Sequence, residues 1–579
     1  MKYYLISLML MFPVYYGNSQ SIQDCLWLQK EGQFRSTINC FNDIISQKPA
    51  NDTALFYLGD TYFKMGRYDS AEIVYRKIGA IGDNNPFFLV GLGKTYLVKK
   101  NKAQATESFD KARKITRRDV MLYVSIIDGC LSPDVMDTVM ARTYIEYANK
   151  VNSSSPQFFI KNAVPFFIKL GEMYFIQENL GKAANSYESA IYYDKACSEA
   201  FVKLGILYTS ANNFPQAYEA FSKAIEVEPG LILAYKYFGD LNYTHGNYAD
   251  AEQAYSTYMS RAESSLEDME RYALILFFSK KYEKADSVIQ EVIKIQANDP
   301  VLYRIGGYIA YETGEYQKGL DYMNEFFKIQ TKDKILASDY EYFGNLLLKE
   351  GQDSLGVMNL EKAIEMDTTK VFYYDQFAKL YSDKNEHPKA IKYYRLVKTS
   401  NPQESLNVKY NLGREYFFFA NQYKRIYDSL TLKEEELKII DEGKQVYRDR
   451  YEKYFVQADS CFEKVAELSP KSYLGYFWRA RSLSYLDLEF LTDSTKIQYE
   501  KVLSIVESGD QTRNKSVIIE CYRYFGSYYY YKSDRELKSD PAASREDKKS
   551  AKTYFEKIIE LDPTDQQAIT VLGILNQKN

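Results

Sequence analysis

Six cysteines and two histidines are the residues of this 579-residue chain best suited to metal, redox or nucleophilic chemistry, and their spacing offers none of the three. His245 and His387 stand 142 positions apart with no third imidazole, so a histidine-rich metal site or a hydrolytic triad lacks members. Both fall in short polar segments and read as turn residues. No Cys-x-x-Cys pair occurs, so neither structural zinc nor a thioredoxin-like redox pair is expected. Cys25 and Cys40 are near neighbours that can pair in an oxidising compartment, whereas Cys130, Cys197, Cys461 and Cys521 read as isolated, partly buried thiols. No glycine-rich phosphate loop follows a strand pattern, and acidic pairs lie on helix faces with no identifiable apolar pocket. The expectation is no enzyme, no metal and no cofactor.

The elements that would position any site are repeated helical hairpins. In FVKLGILYTSANNFPQAYEAFSKAIEVEP, residues 201–229, Phe201, Leu204 and Tyr208 recur at spacings of three and four and share one helix face. Asn212-Asn213 supplies a turn, Phe221 and Ala224 continue an apolar stripe on a second helix, and Pro229 stops it. Small Gly205 and Ala217 let the two backbones approach closely. Steps of 34 from Gly205 reach Gly171, Gly239, Ala273 and Gly307, and from Ala217 they reach Ala183, Ala251, Ala285 and Gly319. Further units centre on Gly59, Gly93, Gly344, Ala378, Gly413, Ala480, Gly526 and Gly573. A single hairpin cannot bury its own apolar face, so the units must stack.

The order aromatic, Leu-Gly, Tyr, Ala, Phe, Ala, Pro, carried by Phe201, Leu204-Gly205, Tyr208, Ala217, Phe221, Ala224 and Pro229, resembles the tetratricopeptide repeat family. The resemblance implies an all-α solenoid, a right-handed superhelix of about fourteen hairpins closed by a C-terminal capping helix. Residues 20–163 form the N-terminal repeats, with a bend expected at the SSSPQ loop, 153–157. Residues 164–402 are regular. Residues 403–563 are irregular, with insertions near 420–452, read as lengthened charged helices, and near 533–550, read as a mobile polar loop. The cap spans 564–579, with Ile569, Leu572 and Ile574 on one side.

The resemblance also implies a concave groove lined by the first helix of each hairpin. Carried over by position, the groove holds Phe56, Tyr57 and Asp60; Tyr237, Asp240 and Tyr243; Arg304, Tyr308 and Tyr311; Tyr342 and Asn345; Tyr410, Asn411 and Arg414; and Arg523 and Tyr524. Tyrosine is abundant, 56 residues, and rings with a polar tip suit protein contacts, so a peptide or protein partner is expected. Packing between neighbouring hairpins is the alternative role for each ring. The Lys, Asn and Arg set with which some family members clamp the C-terminal carboxylate of chaperones does not occur here in order. A carbohydrate- or small-ligand-binding solenoid is the alternative function.

The net charge of −4 argues against a general nucleic-acid or anionic-membrane binder. At the start, Lys2, an apolar run from Tyr3 to Tyr16, and Gly17 and Ser19 ahead of Gln20 give the layout of a signal peptide, residues 1–19. The run is short for a membrane span, so none is expected after cleavage. An uncleaved anchor and a buried first helix are the alternatives. The wording resembles exported repeat proteins of Bacteroidota-like bacteria, which implies a periplasmic or outer-membrane-associated place among envelope assembly or secretion complexes.

Overall fold

The computed structural model describes residues 21–82, 85–437, 443–508 and 512–577, and the leader expected over 1–19 lies outside them. Among the described residues every regular element is helical, and the chain divides into two compact units at Lys334 and Ile335. The first unit runs α1 (Ile22–Lys30), α2 (Phe34–Gln47), α3 (Asp52–Lys64), α4 (Tyr68–Ile81), α5 (Pro86–Val98), α6 (Lys102–Ile115), α7 (Val120–Cys130), α8 (Thr138–Ser154) and the short α9 (Pro156–Ile160). It continues through α10 (Ala163–Ile176), α11 (Leu180–Tyr193), α12 (Ser198–Ser210), α13 (Phe214–Val227), α14 (Ile232–Thr244), α15 (Tyr248–Met259), α16 (Leu266–Phe278), α17 (Tyr282–Ile295), α18 (Pro300–Thr313) and α19 (Tyr316–Ile329). The second unit holds α20 (Ala337–Lys349), α21 (Asp353–Met366), α22 (Tyr373–Asp383), α23 (His387–Leu396), α24 (Pro402–Leu437) and α25 (Lys444–Leu468). Then come α26 (Tyr473–Ser484), α27 (Ser494–Glu507), α28 (Lys515–Glu536), α29 (Pro541–Leu561) and α30 (Gln566–Gln577). Within each unit sequence neighbours pair as hairpins, and successive hairpins pack together.

What closes a hairpin is a glycine facing a ring or bulky side chain sixteen residues on. A Cβ placed on Gly59 would meet Tyr75 at 2.5 Å; on Gly93, Phe109 at 2.2 Å; on Gly171, Tyr187 at 2.4 Å; and on Gly205, Phe221 at 2.5 Å. These rings are almost fully buried. Ala217 is buried too, but the group that needs the space at Gly205 is the Phe221 ring rather than the facing backbone.

The turns follow the same phase. Gly32, Gly66 and Lys100, then Glu178, Asn212, Gly246, Lys280 and Gly314, have left-handed backbone conformations at intervals of 34. In four of these turns the next residue is an asparagine, and in three, Asn101, Asn179 and Asn213, its side chain accepts from the backbone N–H three positions on and caps the second helix. The left-handed residue reverses the chain, and the asparagine starts the return.

Three local expectations change. SSSPQ is no open loop: α8 runs through Ser154 and α9 starts at Pro156, which leaves Ser155 alone between them. The 533–550 stretch is helix rather than loop, with α28 and α29 separated only by residues 537–540. There Asp540 caps α29 through Ala542 and Ala543, and Ser544 Oγ donates to the buried Ser533 carbonyl at 2.8 Å. In α30 the buried side is Ala568 and Leu575, with Leu572 packed beside them, whereas Ile569 and Ile574 are exposed.

Gly205→Ala is expected to lower stability by roughly 1–3 kcal/mol, because the Phe221 ring has no room to move. Unchanged thermal unfolding by circular dichroism would remove this contact from the account. Lys280→Gly relieves a left-handed lysine and is expected to raise stability by up to about 1 kcal/mol in the same measurement.

Candidate functional site

In the first unit the residues after the repeat glycines Gly59, Gly93 and Gly171 take part in a ladder of charges. Asp60 holds Lys94 at 2.6 Å, Lys94 holds Asp128 at 3.0 Å, and Asp128 holds Lys169 at 2.7 Å. Lys169 reaches Glu172 at 2.8 Å, and Glu172 reaches Lys203 at 2.6 Å. Burial disfavours the Lys94 ammonium, yet Asp60 and Asp128 outweigh it and hold its pKa above the ordinary lysine range. Burial likewise opposes the Glu172 carboxylate, but Lys169 and Lys203 bring it down to about 2. Asp128, Lys169, Glu172 and Lys203 of the ladder line a cavity of about 500 Å³ whose other walls include Phe63, Phe175 and Ile206. Asp60, Lys94 and Asp128 are 34 apart, so their shared position was visible in the sequence; their alternating pairing, and the entry of Lys169 from a different repeat position, were not.

This unit also returns on itself. The Glu31 carboxylate accepts from Ile232 N at 2.7 Å, at the start of α14, whose own cap residue Leu231 offers no side-chain acceptor. Conversely, Glu263 accepts from Arg35 N at 2.9 Å and Ser36 N at 2.8 Å, at the start of α2, where Gln33 likewise provides no side-chain cap. Lys30 joins Glu228 at 2.5 Å. Each of these two carboxylates thus caps a helix start about 200 residues away in the chain, where the helix dipole favours negative charge. Cys25 and Cys40 are disulfide-bonded, tying α1 to α2 inside this first hairpin.

The residues assigned to the groove fall into three environments. Phe56 is buried among Tyr57, Tyr75 and Phe87, Asp60 belongs to the ladder, and Tyr524 is buried against Tyr499 at 4.7 Å. Tyr57 and Tyr237 are half-buried and stack on Phe41 and Phe221 of the preceding hairpins. Other residues are half-buried and engaged with neighbours. Asp240 lies 3.4 Å from Arg271, although burial still raises its pKa, and Arg271 also covers Tyr243 at 5.1 Å. Arg304 lies over Phe326 and donates to the Lys334 carbonyl at 2.8 Å. Tyr308 meets Phe277, Tyr311 meets Tyr316, and Asn345 donates to the Tyr373 hydroxyl at 2.9 Å. Arg523 pairs with Asp565. Tyr342 and Asn411 are half-buried.

Arg414 differs. Its guanidinium lies 5.5 Å from the Phe418 ring and 5.9 Å from Tyr410, and no described residue accepts a hydrogen bond from its buried Nε. Tyr410 accepts from Trp478 Nε1 at 3.1 Å, which fixes the ring beneath it.

His387 is not the plain turn residue expected. It is buried at the first position of α23, with Nδ1 2.7 Å from Glu415, which also accepts from Ser382 at 2.6 Å. His245 caps α14 and lies 4.1 Å from the Phe214 ring. Among the described residues no cluster of three or more His, Cys, Asp and Glu is placed to hold a metal, and no helix is long and apolar enough to cross a membrane.

Residues 28–86 and 543–565 match tetratricopeptide repeat family models. With the phased hairpins described above, they make this chain a tetratricopeptide-repeat protein. No curated protein matches it. Among solved structures, the chain is similar to the C-terminal part of a TPR repeat-containing protein from Cytophaga hutchinsonii, at 28% identity over 52% of this chain and 98% of that one, with a TM-score of 0.31. A tetratricopeptide repeat protein from Parabacteroides merdae is 17% identical over 45% and 97%, with a TM-score of 0.28. PilW, a type IV pilus biogenesis factor, is 12% identical over 36% and 94%, with a TM-score of 0.29.

The ladder carries a pH prediction. Glu172 titrates near 4.5 when unfolded and about 2 when folded, so its contribution is full above about pH 4.5 and is lost as pH falls through about 2. Glu172→Gln is expected to start less stable at neutral pH and to lose less on acidification. Thermal melts across that window check it, and an identical acid slope in both proteins overturns it.

Proposed function

We propose that this protein is a non-enzymatic scaffold of the bacterial envelope that holds a peptide or protein partner along the first-helix faces of its hairpins. The observation that carries this reading is Arg414, a half-buried cation held between ring faces with no described acceptor. A guanidinium in such a setting is suited to a carboxylate or backbone carbonyl brought by a partner, since it binds both oxygens of a planar acceptor at low entropic cost. The neighbouring Tyr410, Asn411 and Phe418 supply half-buried contact area beside it, with a hydroxyl from Tyr410 and an amide from Asn411.

Export is supported by the leader-like start and by the Cys25–Cys40 bond, which suits an oxidising compartment. Sugar stacking is less well supported at this place. Trp478 lies flat on Phe462 at 5.5 Å and meets Phe417 and Phe418 edge-on, so its faces are already occupied.

The test is retention from envelope extract by the chain starting at Gln20, compared with its Arg414→Gln variant. A defined partner held by the parent and reduced about tenfold or more by the variant supports the scaffold, a loss typical of one buried charge-assisted contact. Equal retention by two equally folded baits overturns it.

A further inference from the structure

In the second unit α23 stops early, with 10 residues against 14 in α21. Residues 397–401 then lead into α24. At this break a hollow of about 640 Å³ opens between the end of α23, the first half of α24 and the later part of α25. Three cations line it, Arg395, Lys398 and Lys409, and no carboxylate does. None of the three forms an ion pair with a described residue, whereas Lys94, Lys169, Lys203 and Lys370 each have a carboxylate at hand.

Further donors face the same space. Gln457 and Ser460 come from α25 and Tyr416 from α24, with no described hydrogen-bond partner for these side chains, while Tyr394 of α23 completes the wall. Val408 and Leu412 supply apolar wall. The lining positions of α24, 405, 408, 409, 412 and 416, form one helical stripe, opposite the stripe of Tyr410, Asn411 and Arg414. The hollow is therefore separate from the groove residues of the same helix.

Three cations, amide and hydroxyl donors and no carboxylate in the lining fit an anion with several acceptor oxygens. A guanidinium grips a phosphate through two parallel bonds while ammonium groups neutralise it. The space exceeds that of a bare phosphate, and the tyrosine and aliphatic walls can cover an attached organic part. We infer that this hollow binds a phosphate monoester, with Arg395, Lys398 and Lys409 holding the phosphate.

Isothermal titration of the full chain with glucose 6-phosphate, glucose and inorganic phosphate, at matched chloride ionic strength, tests this. Saturable binding of the ester, absent for glucose, is expected, and Arg395→Gln and Lys409→Gln are each expected to weaken it about tenfold or more. Inorganic phosphate binding as tightly as the ester places recognition in the anion alone; tighter ester binding adds the walls to it. Lys398→Gln lies on the exposed loop and serves if the other variants lose helix content by circular dichroism. No saturable heat with either phosphate compound, or equal affinity in the parent and a folded variant, overturns the inference. Because the partner test reads Arg414 and this one reads the opposite stripe, either can fail alone.

Discussion

The structure depends on one steric fact repeated along the chain: a glycine on the first helix of a hairpin lies against the side chain sixteen residues later. At Gly59, Gly93, Gly171 and Gly205 the intruder is an aromatic ring, and at Gly307 it is Met323, which would lie 2.5 Å from an added Cβ. Because the ring is buried and the glycine has no Cβ, the helices settle at one separation and one angle. Every later feature at a fixed repeat position inherits that geometry. The left-handed turns keep the same 34-residue phase as these hairpins.

The charge ladder is a consequence of that regularity. With hairpins held at constant pitch, side chains one repeat apart come within reach of one another, so alternating Asp and Lys at 60, 94 and 128 can pair in series. Lys94 is almost wholly removed from water and would be costly to bury unpaired; two carboxylates make its charged form the favoured one. The long-range caps by Glu31 and Glu263 rest on the same constraint. They meet α14 and α2 only if the intervening hairpins all turn by the right amount, so these contacts read out the accumulated geometry of the hairpins between them. Neither helix has a side-chain cap from its own preceding residue, which makes these distant carboxylates the groups that satisfy the free N–H donors.

Most of the fold was legible in the sequence because a period of 34 is redundant: a weak unit such as 120–163 is located by its neighbours. Where the period failed, local reading failed too. The polar run 533–550 looked like a loop because its residues are hydrophilic, yet Asp540-Pro541 is a helix start, and lengthened helices bury Ser533 and Ser544 between them. The wrong side of α30 was chosen for the cap because isoleucine outranks alanine in hydrophobicity, while the contact favours small Ala568 against α29. The groove was less legible than the fold. Position within the repeat places Phe56, Asp60 and Arg414 on similar faces, but whether each is buried, paired or free depends on the residues one repeat away. His387 shows the same limit, since its partner Glu415 lies on the following hairpin.

Regular repeats therefore make poor recognition sites, and departures from regularity make better ones. A hairpin in phase presents its polar side chains to complementary groups on the next hairpin, and in the first unit that pairing occupies Asp60, Lys94, Asp128, Lys169, Glu172 and Lys203. An early helix end or a lengthened pair removes the expected neighbour and leaves a donor facing space. In the second unit both occur together, since α23 is short and α24 and α25 are long, with 36 and 25 residues. Arg414 on one stripe of α24 and Arg395, Lys398 and Lys409 around the other are among the cations without a described ion-pair partner there. The insertion that blurred the repeat signal near 420–452 belongs to the helix pair that carries both surfaces, so the same irregularity that hides the repeat supplies the places where another molecule can complete the hydrogen bonding.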